Sequence, residues 1–402
     1  MSLPPTVYAP NTPAWDDGTS PRLPQLTTDV RADVAVIGLG GTGLSAIAEL
    51  LSLGRSVVGI DSGSVAGGAA GRNGGILRAG TSLSYHDSIA AFGHDRARTL
   101  YALPAAEIDR IERDTPEAVR RTGSLRVAAN DDEWAECMRQ LDALRSDGVD
   151  AREQETQLGR GVFVPRNASL QPVVRARALA ERAVGNGAQL FERTPALSFD
   201  GTAVVTPLGR IGCGAVVVAV DGGLEELVPA LVGEVRTTRL QMLATEPDPD
   251  VRIPCPISAN AGFDYWQQLP DGRIALGGGR QLAPDREWGA PAVPSDEIQK
   301  YLDAVLRDRI GSRVNVTHRW AARVGYTPSG LPVLTEVTPN VWATGGYNGT
   351  GNLMGALCGR AAAQLAAGEP SAETREFTAL LAQPLGIPAG ATRGSLVGAP
   401  VA

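Results

Sequence analysis

Histidine is almost missing from this chain of 402 residues: His86, His94 and His318 are the only three. They stand far apart with no cysteine beside them, so no metal site is expected and all three read as structural or solvent-exposed. Cysteine is scarce too. Cys137, Cys213, Cys255 and Cys358 are scattered without a CxxC pair, which argues against a disulfide frame or a zinc site and for reduced thiols. A basic excess is also lacking. The net charge of −7 argues against a nucleic-acid surface, and the polybasic segment of a peripheral membrane protein is missing. No apolar run reaches the ~18 residues that span a bilayer. The segment MSLPPTVYAPNTPAWDDGTSPRLPQL has no apolar core, so it is not expected to be a signal peptide, and a cytoplasmic location is expected.

What is present is glycine in particular places. After an extended arm over residues 1–30, DVAVIGLG reads as a short buried strand running into a helix through Leu53, and RSVVGID reads as the next strand. Gly38, Gly40 and Gly43 therefore form a GxGxxG turn between strand and helix. The first glycine permits the turn, the second lets the backbone approach a pyrophosphate, and the third lets the helix pack on the strand. Gly41 and Thr42 complete that helix start, whose N–H groups and dipole suit a phosphate. Asp61, 18 residues after Gly43, ends the second strand, where an acid accepts both ribose hydroxyls; Ser62 follows it. This much does not separate FAD from NAD.

A second glycine-rich stretch follows at GGAAGRNGG, comprising Gly68, Ala69, Arg72, Asn73, Gly74 and Gly75 among others. Its small residues allow backbone amides to approach a large planar cofactor, and Arg72 offers a charge for a phosphate or an anionic reduced flavin. Residues 86–150 carry helical spacing around a strand at SLRVAAN. RARALAERAVGNGAQLF is a helix then a strand, and TAVVTPLGRIGCGAVVVAVDGG is a hairpin feeding a buried strand. Residues 235–285 alternate as antiparallel sheet, with a turn at Asp271–Gly272. PSDEIQKYLDAVLRDRI is an amphipathic helix with Ser295 as its N-cap. Finally NVWATGG leaves a strand, Tyr347–Gly351 make a glycine-rich turn, and a helix follows from Asn352 to Ala367. Gly346, Gly349, Thr350, Gly351, Asn352 and Leu353 would present N–H groups to an electron-rich ring at this helix start.

The combination of DVAVIGLGGTGLSAIAELLSLGRSVVGID, GGAAGRNGG and GGYNGTGNLMGALCGRAAAQLAAGE resembles the D-amino-acid oxidase superfamily of FAD enzymes. Within it the chain is most similar to γ-glutamylputrescine oxidoreductase-like amine oxidases. The resemblance runs to about Gly368 and includes TTRLQMLATEPDP, GFDYWQQLPDGRIALGGGR and HRWAARVGYTPSGLP. It implies an α/β (α+β overall) fold: a Rossmann-type FAD-binding domain from residues 31–85, 150–222 and 318–375, and a discontinuous second domain on a mainly antiparallel sheet. That second domain would comprise a helical segment at 86–149 and residues 223–317, with a tail at 376–402. It also implies oxidation of the carbon–nitrogen bond of a small-molecule amine or amino acid by hydride transfer to flavin N5. The imine is then hydrolysed, and oxygen or another electron acceptor reoxidises the flavin.

For the site, the resemblance places at least one of Tyr265 and Trp266 in the catalytic cavity, since neighbours on a strand point to opposite faces. Tyr326 is expected to line the cavity, and Asn348 to bond flavin or substrate. Val173 or, better, Val174 would cover the adenine. Arg323 is a minor candidate for a substrate carboxylate. The chain departs from relatives in three places. Val324 stands where sarcosine oxidase-like enzymes carry the flavin-linking Cys, so FAD should be non-covalent. Ala275 stands where they carry an oxygen-activating Lys, and Thr350 replaces a common His. Three rival readings are a pyridine-nucleotide dehydrogenase, a flavin-bearing scaffold without turnover, and a tRNA-modifying oxidase, the last disfavoured by the negative charge.

Overall fold

The computed structural model describes residues 11–16, 18 and 22–383. The first ten residues of the expected arm and the tail from Pro384 onward lie outside the described residues. At the centre, VAVI of Val34–Ile37 is buried on both faces and stops at Gly38, whose φ of +105° turns the chain into the helix Gly41–Ser52. Such a strand, apolar at every position, belongs in a parallel sheet covered on both sides. It lies in a six-stranded sheet ordered Gln189–Phe191, Val57–Ile60, Val34–Ile37, Ala215–Val218, Val341–Gly345 and Val333–Thr338. All neighbours are parallel except the last pair.

Alternation along these strands divides the packing. Val34, Val36 and Val217 meet the helices Gly41–Ser52 and Pro172–Gly185 and the alanines of Met354–Ala366. Ala35, Ile37, Val216 and Val218 face the other way, toward the small sheet that includes Ala203–Val205 and Arg210–Gly212. The two motif helices cross at backbone distance. A Cβ on Gly359 would strike the Thr42 carbonyl, and one on Gly355 would come within 2.5 Å of Thr42 Oγ1. The turn motifs at Gly38 and Gly346, remote in sequence, are thereby brought side by side.

A second, eight-stranded sheet runs Val316–Tyr326, Arg236–Pro247, Arg273–Gly277, Asp264–Gln268, Ile257–Ala259, Ser124–Val127, Gly159–Val164 and Arg152–Thr156. Its pairs are antiparallel apart from Ile257–Ala259 with Ser124–Val127. Three segments therefore sit in a different sheet from the one their expected domain implied. Val316–Tyr326, Arg152–Thr156 and Gly159–Val164 hydrogen bond here rather than in the nucleotide sheet. One face of this sheet packs on the helix Asp296–Ala304 and its π-helical continuation Val305–Ile310 through Ile298, Leu302 and Leu306. Ser295 does stand at the N-cap, but its hydroxyl makes no capping bond. Gln241 Nε2 donates to that hydroxyl at 2.9 Å instead.

All four cysteines are free. His86 groups with Asp87 and Glu136 among the described residues, bonded to them at 3.3 and 2.9 Å. His318 is buried, which brings its pKa down to about 4 and keeps it neutral. Among the described residues no helix is long and apolar enough to cross a membrane.

Candidate active site

The two sheets meet over a cleft of about 1530 Å³. That exceeds the ~300–1,000 Å³ that suffices for an ordinary small ligand, leaving room for a large cofactor and a substrate together. From the sequence-predicted residues it gathers Gly38, Gly40, Gly41, Thr42, Asp61, Ser62, Gly68, Ala69, Arg72, Asn73 and Gly74 with Tyr265, Tyr326, Asn348, Gly349, Thr350, Gly351, Asn352 and Leu353.

The helix Gly41–Ser52 starts without a side-chain cap, so its leading N–H groups are left for an anion. Gly43 does not line the cleft. It is the contact point of helix and strand, where a Cβ would fall inside the Gly38 carbonyl oxygen's contact shell. Asp61 accepts the N–H of Leu39 and of Gly63, each at 2.8 Å. A carboxylate has about four lone-pair positions, so this one retains acceptors for hydroxyls. Burial raises its pKa, and those two hydrogen bonds act against that rise.

The Arg-Asn-Gly-Gly loop is held from outside through its carbonyls. Trp320 Nε1 donates to Arg72 O and Trp15 Nε1 to Asn73 O, both at 2.9 Å. Gln267 Nε2 donates to Gly74 O at 2.7 Å and Gly75 O at 2.8 Å. With the carbonyls drawn outward, the Asn73 and Gly74 N–H groups have no acceptor among the described residues. Asn73 and Asn352 also exchange amide bonds at 3.2 and 3.1 Å, fastening this loop to the last glycine turn. Arg72 differs from expectation. Its guanidinium braces the loop, donating to Gly67 O, Asn11 O and Ala321 O at 2.8, 2.8 and 3.1 Å. Gly75 is likewise a packing residue, with φ +63° and no room for a side chain beneath Leu170 O.

Several candidates need correction. Trp266 faces away from the cleft, wholly buried among Leu125, Ile257 and Leu276. Strand parity sends Tyr265 to the cleft instead. Its ring fits between two glycines, 2.7 Å from a Cβ built on Gly74 and 2.5 Å from one built on Gly277. Asn348 lines the cleft, but its side chain belongs to the turn. It accepts from Thr327 N–H at 2.9 Å and donates to Thr327 Oγ1 at 3.1 Å and Gly346 O at 2.7 Å. These bonds hold Asn348 at φ +54° and leave little for a substrate. Gly346, at φ +68° against Thr327, shapes that turn without lining the cleft. Val174 packs beside Leu77 and Ala105 outside the cleft, and its neighbour Arg175 lines the cleft in its place. Arg323 lines the cleft but is paired there with Glu226.

Arg175 is the residue that sequence reading missed most plainly. It is only 6% exposed, lies 3.0 Å from where a Cβ on Gly41 would stand, and meets no hydrogen-bond acceptor among the described residues. Burial brings its pKa down to about 10. A buried guanidinium without an acceptor is costly, and its place beside an uncapped helix start is where a diphosphate would satisfy both. A signal existed: Arg175 falls on the apolar face that Pro172, Ala176 and Leu179 bury. Arg280 was missed as well. It stacks on Phe263 and Tyr326, 5.3 and 4.6 Å from the ring centroids, with no hydrogen-bond partner among the described residues.

The family model "FAD dependent oxidoreductase", DAO, matches residues 33–365. The chain belongs to the DAO family. It is an FAD-dependent oxidoreductase, and the uncapped helix start, Arg175 and the free loop N–H groups fit that cofactor. Among curated relatives, the probable oxidoreductase OrdL of Rhizobium meliloti is 28% identical, with 89% of this chain and 88% of that protein covered. The γ-glutamylputrescine oxidoreductase of Escherichia coli is 27% identical over 86% of this chain and 85% of its own. Among solved structures, glycine oxidase from Geobacillus kaustophilus has the same fold, with a TM-score of 0.72 at 20% identity, covering 85% of this chain and 96% of that one. L-proline dehydrogenase from P. horikoshii gives 0.70 at 20% identity, over 87% and 97% of the two chains.

Asp221 closes the DAO cleft from behind. It accepts the N–H of Tyr347 at 3.1 Å and packs against Gly325. It lines the cleft, and burial raises its pKa from 3.8 to about 6. A carboxyl whose folded pKa is raised supports the fold fully below pH 3.8 and loses that support as pH climbs through about 6. The ionised group then costs at most about 3 kcal/mol. Asp221→Asn should therefore melt higher than the parent at pH 8 and show a smaller advantage at pH 5. A constant difference across a pH series of melting curves would contradict this account.

Proposed function

We propose that this enzyme oxidises the carbon–nitrogen bond of a primary or secondary amine or an amino acid, using non-covalent FAD. One observation carries the reading. Beside the flavin-side loops, the cleft wall consists of the rings of Tyr265 and Tyr326 with the unpaired guanidinium of Arg280, and the family's cofactor supplies the hydride acceptor, N5, when bound. Tyr265, wedged between Gly74 and Gly277, fixes one wall; Tyr326, in edge contact with Trp288 at 6.0 Å, fixes another. Burial pushes both phenols' pKa values up, so each stays protonated and serves as a donor or a packing surface, not as a base. The Arg280 charge disfavours a protonated amine alongside and favours the neutral form that can lose hydride. Positioning in a dry pocket then supplies most of the effect, and no strong general base is required.

Relatives support the class. One named relative acts, by its name, on γ-glutamylputrescine, and the named structural neighbours on glycine and L-proline. Ala275, buried beside Trp320, offers no cation for oxygen activation, and the reoxidant is oxygen or another acceptor.

The test is anaerobic titration of the FAD-loaded enzyme with a panel of amines and amino acids. At least one member should bleach the oxidised flavin band and yield an aldehyde or keto product. A fully loaded enzyme that no member bleached would leave the reading without support and favour a flavin-binding protein without amine turnover.

A further inference from the structure

Beyond Tyr265 the cleft continues along the eight-stranded sheet. Register places Gly277 opposite Tyr265, Tyr265 opposite Ser258, and Ser258 opposite Arg126, in one row across four strands. Leu125 and Val127 point into the core on the far side, so Arg126 shares the cleft face with Tyr265. Two strand spacings separate them, about 10 Å. Arg78 follows the strand Ile76–Leu77 that leaves the Arg-Asn-Gly-Gly loop, and it lines the cleft as well. Burial lowers its pKa first and the neighbouring Arg126 charge second, so the two cations feel each other.

Among the described residues neither makes an ion pair with a carboxylate, although the Glu136 and Arg126 charges act on each other. A guanidinium carries five N–H donors. Among the described residues the Arg78 side chain makes a single hydrogen bond, to Thr81 O at 3.4 Å, and the Arg126 side chain a single one, to Gln140 Oε1 at 2.7 Å. The acids that share this part of the cleft have other partners as well. Glu133 accepts Ala129 N–H, Glu136 pairs with His86 and Arg139, and Asp87 takes the Ser84 hydroxyl. Two other guanidinium groups in this chain do have carboxylates. Arg239 is bidentate on Glu287 at 2.7 and 2.8 Å, and Arg360 is paired with Glu107. Two unpaired like charges enclosed together are unfavourable unless an anion joins them.

We propose that Arg78 and Arg126 form a carboxylate-binding subsite at the end of the cleft remote from Tyr326, so that the substrate is an amine whose far end carries a carboxylate. The subsite rests on the amine-oxidation reading only for what stands at the substrate's other end. It differs from an α-carboxylate contact, for which Arg280 is the nearer group. A guanidinium pair suits the planar, two-oxygen carboxylate, and a long spacer between carboxylate and amine matches the interval to Tyr265.

The test uses FAD-loaded enzyme. Calorimetric titration with glutarate should show binding, and its uncharged diamide should not bind. Arg78→Met and Arg126→Met should each weaken glutarate on the order of tenfold to a hundredfold, with Arg78→Lys retaining part of the affinity. In turnover, ω-aminoalkanoates of graded length should exceed the matched n-alkylamines in kcat/KM by a similar factor, and the Met variants should erase that preference. FAD loading should stay unchanged, and melting temperature should hold or rise. Equal binding of the diamide, affinity unaffected in both Met variants, or loss of FAD instead of glutarate would each overturn the subsite. If amines bleach the flavin but glutarate ignores both arginines, only the subsite falls. If no amine reacts at all, the amine reading falls, and the glutarate titration still decides the subsite.

Discussion

Gly43→Ala should yield protein that emerges from gel filtration without FAD and melts a few degrees lower than the parent. Local propensity points the other way, because alanine in a helix is favoured over glycine by about 1 kcal/mol. Contact decides the sign. The added methyl would lie against the Gly38 carbonyl oxygen, a backbone atom that no rotamer change can move aside. The helix must shift off the Val34–Ile37 strand, at a cost of about 1–3 kcal/mol or more. The same shift withdraws the Gly41 and Thr42 N–H groups from the anion position, so FAD affinity should fall about 100-fold or more. Gly185→Ala is the control. It lies at the end of the helix Pro172–Gly185 with nothing within 4 Å of the new methyl, and should be neutral or slightly stabilising. A yellow Gly43→Ala protein with unchanged melting would refute the packing argument.

Arg175→Met should separate two effects that most substitutions confound. In the cofactor-free protein the guanidinium is a buried charge without an acceptor, and removing it should leave melting unchanged or raise it. In the presence of FAD the loss is a pair of charge-assisted hydrogen bonds to phosphate. Affinity should drop on the order of tenfold to a hundredfold. The rise in melting temperature that FAD produces should shrink accordingly, since ligand stabilisation follows the logarithm of saturation. Lysine at this position should recover part of the affinity through charge without the planar fork. Thermal melts of apo and FAD-titrated protein provide both readings. Destabilised apo protein with normal FAD affinity would show that Arg175 serves packing and not the cofactor.

These two residues also mark how far the sequence could be read. Gly43 was legible because its demand is local: strand, turn and helix lie within a few residues, and only glycine suits the contact. The sheets were legible for the same reason, from period-two and all-apolar runs. Arg175 was not, because its role depends on a neighbour from the helix Gly41–Ser52, far away in the chain. Its placement on an apolar helix face was the available signal. Asn348 was expected to bond flavin or substrate; its left-handed φ and the approach of Thr327, which engage its side chain in the turn, arise only from tertiary packing. Tyr265 and Trp266 could be assigned to opposite faces from parity alone, but which face held the cleft depended on where the second sheet docks. Sheet membership of Arg152–Thr156 and Val316–Tyr326 was beyond reach likewise, since pairing partners are long-range choices.

Asn11 and Trp15 both reach the Arg-Asn-Gly-Gly loop, yet both precede the stretch, residues 33–365, over which family likeness is recognised. A fragment trimmed to that recognisable stretch would keep every fingerprint and still lack an indole donor and a backbone acceptor that steady the flavin-side peptide. Asn11 and Trp15 thus help to hold the loop that faces the cofactor cleft.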